Sequence, residues 1–300
     1  HMPCIFELDE KNNTIALIQA LIALVDRHSI LRTTYGTDEK IGDIQYTLRE
    51  KFEVEKRQSS DGNMIHDAIK KDINQPFDLN NEYPIRAVLY TIDNQLESDT
   101  FSRYLLINIH HIASDGWSLD ILFRDLVAYY HYFNEGRPLS IPDLPIDYKD
   151  FSIWQRDFVK SNFISTALLF WKKQLQGFKP AVLPFDVQPL SSDSTYETGQ
   201  YCCFFDEDLS NDLRCYARDQ GVSLFVLMLS FYYLLLPYIT GKNELFVNVN
   251  FANRHHLQVK DMIGCFYNPQ ILHKKIVGDS SFSSFIHEVR VHLIDVQQFQ

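Results

Sequence analysis

The sequence lacks the paired cysteines that disulfide frameworks and many metal sites require. Its 300 residues contain five cysteines, and none of them forms a CxxC pair. An odd number, with Cys202 adjacent to Cys203, does not fit the disulfide pattern of small secreted domains. We therefore expect a reducing compartment, the cytoplasm.

The sequence also has fewer basic than acidic residues. The chain has 28 Lys and Arg residues against 39 Asp and Glu residues, which gives a formal net charge of -11 at pH 7. Proteins that bind nucleic acid normally present a basic surface from which counterions are released. The charge balance therefore argues against DNA or RNA as a partner.

Neither a secretory leader nor a convincing membrane span is visible. The start has no charged leader followed by an apolar run, and His1 with Met2 resembles an expression-vector remnant. The most apolar stretch, residues 224–239, contains Ser230, Pro237 and several tyrosines. It fits a buried core helix better than a membrane span, and we expect no membrane partner.

Helical and strand patterns alternate along the chain. Apolar residues at helical spacing predict helices over 14–27, 64–73, 117–134, 148–175, 210–220, 224–236 and 282–298. Runs rich in β-branched and aromatic residues predict strands over 85–92, 104–109, 200–205 and 245–249. The alternation predicts an α/β fold in which helices cover the sheets. Three prolines within residues 137–148 place a boundary between a first lobe, 1–145, and a second lobe, 146–300.

The stretch HHIASDG lies between a predicted strand and a predicted helix. Side chains alternate across a strand, so His110 and His111 should point to opposite faces and only one should face a ligand. Gly116 would allow a close backbone approach that a Cβ would block. Taken alone, the histidine pair fits structural residues, a metal site or acid–base catalysis. A metal is the weakest of the three, because neither HExxH nor CxxC accompanies the pair.

The same stretch matches HHxxxDG, the signature of the condensation domains of nonribosomal peptide synthetases in the chloramphenicol-acetyltransferase-like superfamily. Other stretches resemble further family motifs in the expected order, namely RHSILRTTY (Arg27 to Tyr35, RHxxLRTxF), YKDFSIWQ (Tyr148 to Gln155, YxDxAxW), NVNFANR (Asn248 to Arg254) and IGCFYNPQ (Ile263 to Gln270, IGxFVNTQ). The chain departs from the family where Tyr267 and Pro269 replace Val and Thr, and where Ser152 and Ile153 replace Ala and Val.

The resemblance implies two similar lobes with mixed sheets covered by helices, which form a V around a central tunnel. It also implies that the second lobe continues beyond Gln300, where an acidic PFE-type motif would follow. The implied reaction joins an upstream acyl or peptidyl thioester to the amino group of a downstream aminoacyl thioester. Both substrates would be carried by phosphopantetheine arms of partner carrier proteins, with an adenylation domain nearby and no cofactor or metal bound by the domain itself.

Within the family motif, the resemblance implies that His111 is the catalytic residue. His110, Asp115, Gly116 and Asn268 would support the site, and Asn268 either lines the cleft or caps a strand end. The reference pKa of an α-amino group is about 8, so much of the attacking amine is already neutral near that pH. His111 therefore acts either as a general base or as a group that holds the amine in position.

Structural roles are implied for other motif residues. The resemblance places Asp115 in a salt bridge with an arginine, for which Arg254 is the first candidate and Arg32 the second. Tyr148 and Trp154 are expected to pack the lobes.

Other members of the superfamily remain alternatives. Cyclisation domains replace the histidines with DxxxxD, and epimerisation domains usually lack the order Gly-Trp-Ser found at 116–118. A non-catalytic recruitment module and a coenzyme A-dependent acyltransferase are the other candidates. Within condensation domains, LPFDVQP and STYETG resemble the type that accepts an L-configured donor.

Overall fold

A computed structural model describes residues 1–40, 42–59, 62–93, 101–177, 179, 183–184, 199, 201–278 and 280–299. Within them the chain forms eight α-helices, which are α1 (Thr14–Arg27), α2 (Gly62–Asn74), α3 (Gly116–Glu135), α4 (Tyr148–Phe158), α5 (Asn162–Gln174), α6 (Glu207–Asp219), α7 (Leu224–Thr240) and α8 (Phe282–Gln297). The strands are β1 (Met2–Leu8), β2 (Thr33–Asp38), β3 (Gly42–Thr47), β4 (Glu55–Ser59), β5 (Ile85–Asp93), β6 (Phe101–Ile109), β7 (Glu244–Phe251) and β8 (Asn268–Lys275).

The chain divides into two compact units that are not contiguous in sequence. The first contains His1–Lys160 and Ala252–Tyr267, and the second contains Ser161–Phe251 and Asn268–Gln300. These units do not coincide with the predicted lobes 1–145 and 146–300.

The first unit is built on a mixed sheet. Its strand order is β1-β6-β5-β4, with antiparallel pairs except for the parallel pair β4 and β5. Strands β2 and β3 form a separate antiparallel hairpin. Helices α1 and α3 bury Leu21, Leu24 and Leu122 in a core shared with Ile107 and Ile109 of β6. Strand β6 therefore ends in a well-packed core, directly before the HHIASDG loop.

Local sequence explains where the helices of this unit begin and end. Asn13 caps α1 by accepting hydrogen bonds from the N–H groups of Ile15 and Ala16. Helix α3 ends at Gly136, whose φ of 67° lies in the left-handed region that glycine adopts without strain. The predicted helices over 14–27 and 117–134 are confirmed.

The segment 252–267 joins the first unit through a small apolar cluster. Phe151 of α4 is buried against Val259, Met262 and Phe266, and its ring centroid lies 4.6 Å from that of Phe266. This packing accounts for the position of 252–267, which is distant in sequence from the rest of the unit.

The second unit combines the antiparallel hairpin β7–β8 with helices α7 and α8. Leu227, Tyr233, Leu272 and Ile286 form part of its core. No single helix in the described part of the chain is long and apolar enough to span a membrane. Among the described helices, only α6 and α7 taken together reach that length and composition, and they are bent by 102°.

The predicted strand over 200–205 is wrong for the residues that the structure describes there. Residues 201–205 have irregular backbone, and the side chains of Tyr201 and Phe204 are 91% and 92% exposed. Strand residues need a partner for their backbone groups, and among the described residues no strand pairs with this run. The Pro- and Ser-bearing sequence of residues 179–199 predicts a loop, and this segment lies almost entirely outside the described residues.

Replacement of Phe151 by alanine should destabilise the protein by about 3 to 5 kcal/mol, because it leaves a cavity under the segment 252–267. Ile153 lies on the same helix but is 64% exposed, so Ile153→Ala should change the free energy of unfolding by about 0.5 kcal/mol or less. Urea denaturation of both variants measures the difference. Equal effects would contradict the proposed role of this cluster.

Candidate active site

His110 stabilises the loop that follows β6. Its backbone N–H donates to the carbonyl of Pro84 (2.8 Å), and its carbonyl accepts from Ala113 (3.0 Å). The side-chain Nδ1 accepts a hydrogen bond from the backbone N–H of Ile112 (3.0 Å), which leaves the ring proton of the neutral imidazole on Nε2. Burial lowers the pKa of His110, in keeping with a neutral ring. Each of these bonds holds the loop.

His111 is the exposed member of the pair. Its ring centroid lies 5.1 Å from that of Tyr267, at an interplanar angle of 58°. Its Nδ1 lies 3.9 Å from the sulfur of Cys265. Burial, assisted by the charge of Asp115, raises the pKa of the Cys265 thiol to about 11, so the thiol is protonated at neutral pH. The segment 264–267 thus borders the imidazole that a ligand can reach.

The carboxylate of Asp115 is buried and fully engaged. Oδ1 accepts from the backbone N–H of Ser118 (2.8 Å) and so caps α3, while Oδ2 accepts from the backbone N–H of Phe266 (3.0 Å). Nη2 of Arg254 lies 3.0 Å from Oδ1 and 3.3 Å from Oδ2. Asp115 therefore joins the start of α3 to the segment 252–267.

The guanidinium of Arg254 is buried beside the Asp115 carboxylate. Its Nη1 donates to the carbonyls of Val259 (2.8 Å) and Met262 (2.6 Å), and its guanidinium lies 4.1 Å from the ring centroid of Phe266. Burial lowers the pKa of Arg254, but arginine stays charged in proteins. The structure thus brings together Asp115 and Arg254, the first candidate pair.

Arg32, the second candidate, lies elsewhere. Its guanidinium donates to the carbonyls of Val25 (3.2 Å), Asp26 (3.1 Å) and Leu48 (3.1 Å), and its nearest carboxylate is that of Asp26, at 3.8 Å. Arg32 follows α1 closely in sequence, so its side chain folds back onto the end of that helix.

Ser118 is a site residue that the sequence analysis missed. Its buried hydroxyl accepts from the backbone N–H of Gly264 (3.1 Å) and from Nη2 of Arg254 (2.8 Å). The hydroxyl proton has two acceptors within reach, Oδ1 of Asp115 at 2.7 Å and the carbonyl of Gly264 at 2.9 Å. A serine at the start of the predicted helix 117–134 was the available signal, but its partners Arg254 and Gly264 lie 136 and 146 positions away.

A second buried carboxylate was also missed. Asp125 of α3 lies 3.0 Å from Nε of Arg27, 3.0 Å from Nε2 of His28 and 2.8 Å from the guanidinium of Arg124. Although burial acts in the opposite direction, hydrogen bonds from His28 and Arg124 lower the pKa of Asp125. The first two residues of RHSILRTTY therefore anchor α1 to α3.

The same cluster contacts the segment 252–267. Arg124 forms an ion pair with Asp261, and the backbone N–H of Ile263 lies 3.5 Å from Nδ1 of His28. Burial lowers the pKa of His28, which fits a neutral ring that donates through Nε2 and accepts at Nδ1. Helix α3 thus holds the segment at two places.

Tyr148 and Gly264 pack closely beside His111. The Tyr148 hydroxyl donates to the carbonyl of Cys265 (2.8 Å), and its ring meets that of Phe266 edge-on at 5.2 Å. A Cβ added at Gly264 would overlap the ring of Tyr148. Glycine is therefore required at this position by the close approach of an aromatic ring.

Trp154 and Gly116, two other predicted site residues, are both exposed. Trp154 is 42% exposed and stacks on Phe158 with ring centroids 5.2 Å apart, within the first unit. Gly116 is exposed, and a Cβ there would meet no described atom within 4 Å. Packing within the described residues therefore does not require glycine at position 116, and the space beside its backbone is unoccupied by described atoms.

Asn268 is the first residue of β8 and pairs with Phe251. It belongs to the second unit, and its predicted place beside His111 stays a prediction. Among the described residues, no group of three or more His, Cys, Asp or Glu side chains is arranged to hold a metal ion.

Comparisons with known proteins place these features in a family. The family model named Condensation domain matches residues 1–300. The chain is 34% identical over 284 residues to nonribosomal peptide synthetase dtxS1 of Metarhizium robertsii, which is 93% of this chain and 4% of the relative. It is 30% identical over 293 residues to cyclosporin synthetase simA of Tolypocladium inflatum, which is 96% of this chain and 2% of the relative. The chain thus spans a small part of the length of these curated relatives.

A solved structure of the X-domain from teicoplanin biosynthesis resembles the chain with a TM-score of 0.83 at 22% identity, over 99% of this chain and 66% of that one. This likeness shows the fold, which is mixed α/β. The match of the family model along the entire chain shows the family. The chain belongs to the condensation domain family.

Removal of the Asp115 carboxylate should destabilise the protein by about 3 to 5 kcal/mol, because it leaves the charge of Arg254 buried and unpaired. In a double-mutant cycle, Asp115→Ala combined with Arg254→Met should cost less than the sum of the single changes. Chemical denaturation gives the four free energies of unfolding. Asp26→Ala, which removes the exposed neighbour of Arg32, should change stability by about 0.5 kcal/mol or less. Strictly additive single changes would contradict a coupled pair.

Two glycines in the site should respond differently to alanine. Gly264→Ala should destabilise the protein by about 1 to 3 kcal/mol, because the ring of Tyr148 has to move. Gly116→Ala should leave the melting temperature close to that of the wild type, because no described atom opposes the new methyl group. Thermal unfolding compares the two, and a reversed order would rule out the packing argument.

Proposed function

We propose that this chain forms an amide bond between a donor acyl or peptidyl thioester and the amino group of an acceptor aminoacyl thioester in nonribosomal peptide synthesis. One observation carries the proposal: among the polar side chains of HHIASDG, His111 is exposed while His110 and Asp115 are engaged in bonds that hold the loop. Membership of the condensation domain family supports it.

The geometry around His111 suggests how the imidazole acts. With the Nδ1 proton directed towards the sulfur of Cys265, the lone pair of Nε2 faces the substrate amine. The amine attacks the thioester carbonyl, Nε2 accepts the ammonium proton, and the thiolate leaves with the phosphopantetheine arm. Positioning of the amine contributes most when the amine is already neutral, and Nε2 takes the proton that the amine loses after its attack.

The remaining parts of the proposal concern partners and location. Both substrates arrive on phosphopantetheine arms of an upstream and a downstream carrier protein, next to an adenylation domain, and the chain binds no cofactor of its own. Asp115 with Arg254 supports the site, Gly116 gives room near the thioester, and Asn268 either lines the cleft or caps a strand end. The odd number of cysteines and the lack of a CxxC pair in the sequence support a reducing cytoplasm.

A second candidate is a recruitment module without catalysis. The observation that favours it is the fold shared with the X-domain from teicoplanin biosynthesis at a TM-score of 0.83. The exposed His111 favours catalysis.

Single-turnover amide formation tests the proposal, with the complete protein, an acyl-loaded donor carrier and an aminoacyl-loaded acceptor carrier. His111→Ala should lower the rate by about 10² to 10⁴-fold, because the group that orients the amine and takes its proton is lost. His131→Ala is the matched control, since His131 is a part-exposed histidine on α3 that pairs with Glu135. Thermal unfolding checks that both variants are folded.

Each outcome has a distinct meaning. Equal rates for the wild type and His111→Ala would exclude His111 from the chemistry. Absence of product with several cognate carrier pairs would favour the recruitment module. Product from free coenzyme A thioesters at an equal rate would indicate an acyltransferase that does not need carriers.

A further inference from the structure

The first unit contains a concave surface beside the HHIASDG loop. A cleft of about 940 Å³ lies between the hairpin β2–β3 and helix α4. Its volume is in the range of pockets that bind small molecules, about 300 to 1,000 Å³. Tyr35 and Ile44 border it from the hairpin, Ile112 from the loop, and Ile153 from α4. We call it the hairpin cleft.

The lining of the hairpin cleft favours an uncharged, apolar occupant. Tyr46 and Ile153 border it with 56% and 64% of their surfaces exposed, so a ligand that covered them would gain from their burial. Two basic and two acidic side chains also line it, namely Lys149, Arg156, Asp43 and Asp157. Their charges balance, so the cleft has no net charge that would select an anion or a cation.

Tyr35 adds a polar group to this apolar lining. Its hydroxyl oxygen is buried and has no hydrogen-bond partner among the described residues. An unpaired buried hydroxyl is unfavourable, and an acceptor oxygen on a ligand would relieve it.

The hairpin cleft lies close to His111 along the chain. Ile112 lines the cleft and is the residue that directly follows His111. Tyr35 lines the same cleft, so the cleft borders the loop that carries the imidazole.

We propose that the hairpin cleft receives the apolar side chain or acyl chain of a carrier-bound thioester, and that the Tyr35 hydroxyl donates a hydrogen bond to an oxygen of that substrate. The proposal rests on the proposed function, because the thioester reacts beside His111. The same apolar chemistry could belong to the donor or to the acceptor. Separate arms of the test distinguish the two sources.

The test fills the cleft and measures which substrates are affected. Ile153→Trp places a large side chain in the hairpin cleft, and Ile15→Trp is the matched control, because Ile15 is 69% exposed on α1 and does not line the cleft. In the acceptor arm, kcat/KM is compared for leucyl and glycyl carriers with a fixed donor. In the donor arm, it is compared for octanoyl and acetyl carriers with a fixed acceptor.

Ile153→Trp should shift the ratio of large to small substrate by about 10 to 200-fold in one arm, because an apolar contact of several carbons is lost. Ile15→Trp should leave both ratios unchanged. Tyr35→Phe should lower kcat/KM for the substrate of the affected arm by about tenfold, since it removes one hydrogen bond. Unchanged substrate ratios in both arms would contradict substrate binding in the hairpin cleft. An unchanged kcat/KM for Tyr35→Phe would contradict the proposed role of the hydroxyl.

A binding measurement separates this proposal from the proposed reaction. Calorimetry follows the complete protein with stable pantetheine amides that carry leucyl, glycyl, octanoyl or acetyl groups. A preference for the larger group that Ile153→Trp abolishes would support the cleft even without any product. Product formation without a size preference in either assay would support the proposed reaction and contradict substrate binding in the hairpin cleft.

Discussion

The site depends on one buried ion pair, between Asp115 and Arg254. The Asp115 carboxylate caps α3, pairs with Arg254 and accepts the backbone N–H of Phe266, so one side chain ties three parts of the first unit together. Burial of two charges is unfavourable unless their remaining hydrogen-bonding groups find partners. Here the carbonyls of Val259 and Met262 and the hydroxyl of Ser118 bind Nη1 and Nη2 of Arg254, while its Nε has no hydrogen-bond partner among the described residues. The segment is therefore fixed in register as well as in place.

This constraint determines the surroundings of His111. Cys265 and Tyr267 lie on either side of Phe266, whose backbone is bound by the loop that also carries His111. Movement of the segment would therefore break bonds to Asp115. A second set of contacts, from Arg124 to Asp261 and from His28 to Ile263, holds the same segment further along α3. His28, Asp115 and Arg254 thus hold the frame, and His111 stays exposed.

Periodicity was sufficient to predict the helices whose caps and apolar faces are local. The prediction for α1 agrees with the structure at both ends, because Asn13 caps its start and its core face repeats at helical spacing. The strand predicted over 200–205 failed because composition reports only a preference for extended backbone, while a strand also needs a partner. The two compact units could not be predicted from local sequence for a similar reason, since Phe151 packs against residues more than a hundred positions later.

The sequence by itself determined the family, the class of fold and the residues to examine, because ordered motifs and local periodicity are properties of the chain. Only the tertiary structure decided which of these residues meet. It paired Asp115 with Arg254 rather than Arg32, brought Ser118 to Gly264, and placed Cys265 beside His111. Ion pairs and hydrogen bonds form between atoms that are close in space, and packing brings such atoms together across any distance in sequence.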